Sequence, residues 1–126
     1  MPPAIAAVYL DFDWDREAVW ALDIATTRIP REQLDWHLDL PFWSSVRGEA
    51  RFDVRPREVL DTPNRWPRHT ERIDRCDLAC PLDVMHHRGR VCVMDGLHRL
   101  ACMFREHRRT ASVRFVPRSR VRATSP

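Results

Sequence analysis

The sharpest change of period in the chain falls at residues 91 to 104. Val91-Cys-Val-Met94 is a continuous apolar run of strand length. Leu97, Leu100, Ala101 and Phe104 then fall at i, i+3, i+4 and i+7, one apolar stripe of a helix. Leu82-Asp-Val-Met85 is a second short strand. His86-His-Arg-Gly-Arg90 joins the two as a hairpin, with Gly89 supplying the positive φ and both histidines exposed beside the turn. Ser112 to Val116 reads as a closing strand with Val113 and Phe115 inward. Upstream, Leu10, Phe12 and Trp14 alternate with Asp11, Asp13 and Asp15, and Trp20, Leu22 and Ile24 alternate likewise. Each run predicts a half-exposed strand.

Pro30 opens a short helical stretch with Leu34, His37 and Leu38 on its inner face, and Leu40-Pro-Phe-Trp43 follows as an apolar anchor. Arg51-Phe-Asp-Val-Arg55 alternates as a strand that Pro56 ends. Thr62 to Pro67 is a loop, and Thr70 is placed to cap a helix from Glu71 to Leu78. These elements predict an α/β fold, a small mixed β-sheet with flanking helices in one domain over residues 1–126. Residues 1–50 form a flank holding four of the five tryptophans, residues 51–117 the core, and residues 118–126 a basic tail.

Composition narrows the picture. With 126 residues, 44% of them hydrophobic and 31% charged, the chain has the makeup of a folded domain. No apolar run reaches the roughly 20 residues of a membrane span, and the start lacks the basic region of a signal peptide. A cytoplasmic location with no membrane partner is expected. All 21 basic residues are arginine. Mechanisms that need a P-loop lysine or a Schiff-base lysine are therefore excluded. Cys76, Cys80, Cys92 and Cys102 match no zinc spacing and read as buried free thiols. The first 40 residues are acidic, and Arg105 to Arg122 is basic enough to make nucleic acid a candidate partner.

The chemistry concentrates at Asp95-Gly96-Leu97-His98-Arg99, where strand passes directly into helix. The first N–H groups of a helix have no internal partner and carry the positive end of its dipole, so they attract anions. Gly96 would let a phosphate approach the backbone, and His98 and Arg99 would add side-chain donors. Asp95 would cap the helix or hold a Mg²⁺ that bridges phosphates. In the loop before the predicted helix, Trp66 and His69 are candidate pocket residues. Val8 to Trp14 ends in an Asp-x-Asp, as in haloacid-dehalogenase phosphatases, but the later lysine motif of those enzymes has no counterpart here.

Pro81-Leu-Asp-Val, the hairpin, Val-Met-Asp-Gly-Leu-His-Arg-Leu-Ala101 and a closing strand together resemble the ParB/sulfiredoxin-like superfamily, over roughly Arg51 to Val116. The box is most similar to the Asp-Gly-x-His-Arg of its free-serine kinases. The reactive cysteine of sulfiredoxins falls at Leu97, which argues against sulfinic-acid reduction. The resemblance implies a nucleotide di- or triphosphate with Mg²⁺ bound by Gly96, Leu97, His98 and Arg99. It implies catalytic roles for Asp95 and His98, and Arg55-Pro-Arg-Glu58 resembles the segment that supplies the kinases' glutamate base, Glu58 here. The expected function is phosphotransfer to a small hydroxyl substrate. The alternative is a non-catalytic nucleotide- or nucleic-acid-binding regulatory module. Convergence of Glu58, Asp95 and His98 on one cleft would favour the first.

Overall fold

A computed structural model describes residues 1–121; Arg122 and the rest of the expected basic tail lie outside the described residues. The protein is a small mixed α/β structure built on one four-stranded sheet, β1 (Thr26–Pro30), β2 (Leu82–His87), β3 (Arg90–Asp95) and β4 (Thr110–Phe115), in the order β1-β4-β2-β3. The β2–β4 pair is parallel and the other two pairs are antiparallel. The expected hairpin is present. Arg88 and Gly89 both take positive φ, 50° and 76°, the geometry whose twist suits a two-residue hairpin loop. His86 and His87 belong to β2 itself. His86 is exposed, but His87 is buried, contrary to its expected surface position.

β2 and β3 carry apolar side chains on both faces because both faces are covered. Val84, Val91, Val93, Leu82 and Val113 face a core shared with helices α3 (Pro56–Asp61), α4 (Pro67–Asp74) and α5 (Leu97–Arg105). Met85, Cys92, Met94 and Val116 belong to a second cluster with Leu10 and Val19, rimmed by Tyr9, Phe12, Trp14 and Trp36. The aromatic flank thus roofs one face of the sheet. It is not a separate layer, however. Its Thr26–Pro30 segment is β1 of the sheet, and Leu34, Leu38 and Trp43 enter the helical core.

The flank also seals the free edge of β3. Val93 donates its N–H to His37 Nε2 (2.9 Å), and its carbonyl accepts the Tyr9 hydroxyl. An exposed edge strand invites pairing with other chains; here side chains from both ends of the flank occupy the polar groups of Val93 at its middle. His37 is fully buried, with Nδ1 bonded to Leu34 O at 2.7 Å.

Several local expectations are corrected. Residues 10–14 and 20–24 form no sheet strands. The period of two there reports which side chains face the sheet, while Asp15 accepts from the N–H groups of Glu17 and Ala18 and so caps helix α2 (Arg16–Trp20), which follows the single turn α1 (Pro3–Ala6). Arg51–Arg55 is not a strand of the sheet: Phe52 takes φ 51° and only Val54 bridges, to Trp43. Pro56 opens α3 rather than ending a strand, and Pro67 opens α4, so Thr70 lies inside that helix. Pro30 closes β1, and single 3-10 turns follow at Arg31–Gln33 and Asp35–Asp39.

Candidate functional site

The strand-to-helix junction is built as expected, but its residues are used differently. Gly96 is the N-cap of α5 at φ 113°, and no side chain caps the helix. A Cβ on Gly96 would lie 2.5 Å from Leu82 Cδ2 and 3.1 Å from the Arg99 guanidinium. Glycine is therefore required by the backbone turn and by its own neighbours. Asp95 does not cap the helix. Its Oδ2 accepts from the Trp20 indole (2.9 Å) and lies 3.4 Å from Arg99 Nη2, while Arg99 Nη1 donates to Pro81 O at 2.7 Å. Leu97 lines the cationic cleft described below.

His98, in the first turn of α5, stacks on Trp43 with ring centroids 4.0 Å apart and planes within 6°. Trp43 also stacks on His69 of α4, at 4.8 Å. The two histidines are joined edge to edge, His69 Nδ1 to His98 Nε2, at 3.2 Å. His69 Nε2 lies 2.7 Å from the carbonyl of Ser44, which also accepts from Arg68. Burial pushes the His98 imidazole down to about 3, helped by the neighbouring Arg72, His69 and Arg68. Burial also lowers His69. Both rings are neutral at physiological pH.

Two clefts flank the junction. One, about 470 Å³, is lined by Arg16, Arg72, Arg75, Arg99, Asp95 and His98, together with Gly96 and Leu97. Arg75 pairs with Glu71, but Arg16 and Arg72 have no acidic partner among the described residues. The second cleft, about 530 Å³, is lined by Trp20, Cys76, Cys80, Pro81, Asp83 and Arg114, and shares Cys76, Asp95 and Arg99 with the first. Arg114 there is committed to Asp83 (2.7 Å) and to the carbonyls of Val19 and Leu22.

Asp95, Gly96, Leu97, His98 and Arg99 thus come together, and His69 joins them behind His98. Glu58 does not. It lines neither cleft, and its Oε1 accepts from Arg55 N–H at 2.7 Å across the start of α3, the place of a carboxylate in the third position of a capping box. Trp66 is half-buried beneath Arg65 and is also absent from both clefts. Arg16, Trp20, Trp43 and Arg72 were not singled out by sequence. Only Arg72 had a readable signal, since it follows His69 by three residues on one helix and so shares its face.

The four cysteines are free thiols; Cys92 and Cys102 are buried, whereas Cys80 is exposed and Cys76 half-buried. Among the described residues no three His, Cys, Asp or Glu side chains gather into a metal site. Asp95 shares its Oδ2 between an indole and a guanidinium, so the residues present do not build a seat for Mg²⁺. The arginines near the C-terminus are largely engaged: Arg105 with Asp74, Arg108 with Glu106, Arg114 with Asp83, Arg118 with His87. No helix among the described residues is long and apolar enough to cross a membrane. No protein family, curated protein or solved structure matches the chain.

Proposed function

We propose that the chain binds a phosphorylated small molecule, and in the fullest form of this reading a nucleoside di- or triphosphate. The phosphates would sit in the cationic cleft and the base against Trp20 in the neighbouring one. The observation that carries the reading is the pair of guanidiniums, Arg16 and Arg72, without acidic partners beside the uncapped N-terminus of α5. Unpaired arginines and free helix amides are the groups that recognise phosphate oxygens. Trp20 is 53% exposed at the mouth of the second cleft, a face available for stacking. The resemblance of the Asp95–Arg99 box to the ParB/sulfiredoxin-like superfamily agrees with this use.

Phosphoryl transfer to a small hydroxyl acceptor extends the same reading. Its groups would be Asp95 and His98, with Arg16, Arg72 and Arg99 holding charge in place, since positioning and electrostatics supply most of such catalysis. Glu58 has no part in it. Thermal shift with ATP, ADP, CTP, GTP and pyrophosphate, with and without Mg²⁺, tests the binding. At least one should stabilise the protein, and Arg72→Glu should remove that shift. Absence of any shift at millimolar ligand, or an undiminished shift in Arg72→Glu, would overturn the reading.

A further inference from the structure

The hydrogen bonds of the histidine pair determine where its protons are. The Ser44 carbonyl can only accept, so His69 Nε2, 2.7 Å away, carries a hydrogen. Arg68 Nη2 lies 3.4 Å from the same nitrogen, but it also donates to Ser44 O at 2.6 Å; the two are donors converging on one carbonyl. A neutral His69 with hydrogen on Nε2 has its lone pair on Nδ1. That lone pair faces His98 Nε2 at 3.2 Å, so Nε2 of His98 must be the donor. Nδ1 of His98 is then unprotonated. It has no partner among the described residues, and His98 lines the cationic cleft.

We infer that His69 is a positioning residue that fixes His98 as its Nε2–H tautomer. Nδ1 of His98 thereby faces the cleft as a hydrogen-bond acceptor and selects anionic ligands that carry a hydroxyl or amine donor beside the anionic group. The inference rests on the phosphate reading of this cleft. It reverses the role expected from sequence: His98 does not donate to phosphate, because its one N–H is spent on His69. The phosphate belongs to the arginines and the helix amides, and the ligand's own O–H or N–H belongs to His98. Stacking on Trp43 keeps the His98 and His69 planes within 17° of each other, which holds the ring edge in register.

Long-range ¹H–¹⁵N correlation of the histidine rings tests the tautomer without any ligand. At pH 7 the His98 ring should show protonated Nε2 and unprotonated Nδ1. His69→Phe keeps a flat ring but removes the acceptor, so both His98 tautomers should appear. His69→Gln, which can still accept from His98 and donate to Ser44, should restore the single tautomer. A wild-type His98 protonated on Nδ1 would overturn the inference even if neither variant folds, as would an unchanged tautomer in folded His69→Phe.

The ligand half is tested by titrating glycerol 2-phosphate, glycerol 3-phosphate and propyl phosphate while observing the His98 ring. A glycerol phosphate should bind about fivefold more tightly than propyl phosphate, the ratio expected for one added hydrogen bond, and should move the Nδ1 resonance. Equal affinity for all three would overturn the selection of a hydroxyl. Binding of none would overturn the phosphate reading, and the selection with it, while the ring spectrum separately reports the tautomer.

Discussion

His37, fully buried, and His98, half-buried at the wall of the cationic cleft, each stack closely on a tryptophan ring, and they are used in opposite ways. His37 stacks on Trp36 at 3.7 Å, and His98 stacks on Trp43 at 4.0 Å. Burial pushes the first down to about 4 and the second to about 3. Their surroundings are thus alike, but their nitrogens are not. Both nitrogens of His37 are taken by backbone, one by Leu34 O and one by Val93 N–H. His98 gives one nitrogen to His69 and leaves the other to a cleft with unpaired arginines. A lowered pKa marks both residues; what separates the structural histidine from the one proposed to meet a ligand is whether its hydrogen-bonding capacity is exhausted.

The largest effect should come from breaking the exhausted site. His37→Phe would leave the Val93 N–H buried without a partner, at about 1–3 kcal/mol, and would take the imidazole hydrogen bond from the Leu34 carbonyl, which keeps the backbone N–H of residue 37, at about 1 kcal/mol. Urea unfolding should show a loss of about 3 kcal/mol, while the folded fraction binds pyrophosphate as before. His98→Phe should cost only about 1 kcal/mol, since it strands a single acceptor on His69, and should change phosphate-ester selection. The reverse order of stabilities would break the comparison.

Acid should act on His37 next. Its folded pKa is depressed, from an ordinary 6.5 to about 4. The contribution to stability is therefore fully present above pH 6.5 and is lost as pH falls toward 4, at a cost of about 3 kcal/mol. His98, lowered further, has the same sign and extends the loss to lower pH. Unfolding free energy measured from pH 7 to pH 4 should fall accordingly, and His37→Phe should flatten the decline. A variant curve parallel to that of the wild type would show that His37 is not the titrating group.

The test of exhausted capacity also sharpens the reading of Gly96. Gly96→Ala would force φ 113° on an alanine and drive its Cβ to 2.5 Å from Leu82 Cδ2. Strain and overpacking together should cost about 2–3 kcal/mol. An alanine that is tolerated with unchanged stability but weakened phosphate binding would return Gly96 to the ligand.

Some of this was legible in the sequence. β2, β3 and α5 read correctly because burial on both faces makes a strand continuously apolar, and a helix stripe has its own period. β1 did not read, because Thr26–Pro30 is a polar edge strand exposed at most of its positions. The Asp-rich alternation of residues 10–15 misled for a related reason: a period of two reports exposure, not backbone pairing. At the site, the Asp95–Arg99 box was visible because it is contiguous. Trp43, Arg72 and Arg16 reach it from distant elements, and no local pattern announces such an encounter.

Glu58 carries the smallest expected effect and the clearest lesson. Arg55-Pro-Arg-Glu58 has the spacing of a catalytic segment in the resembling kinases, but it equally has the spacing from an N-cap to the third helical position. A proline at the first position, where no N–H is needed, suits a helix start. The structure uses it so: Glu58 Oε1 accepts from Arg55 N–H at 2.7 Å. Like the nitrogens of His37, that oxygen is spent on backbone. Glutamine can make the same reach, so Glu58→Gln should change stability by no more than about 0.5 kcal/mol, and Glu58→Ala should cost about 1 kcal/mol through loss of the cap. Neither should alter pyrophosphate binding measured by calorimetry. If Glu58→Gln left the fold intact and abolished ligand binding or turnover, a carboxylate with its oxygen on the backbone would be functional after all, and exhausted capacity would fail as the criterion that separates His37 from His98.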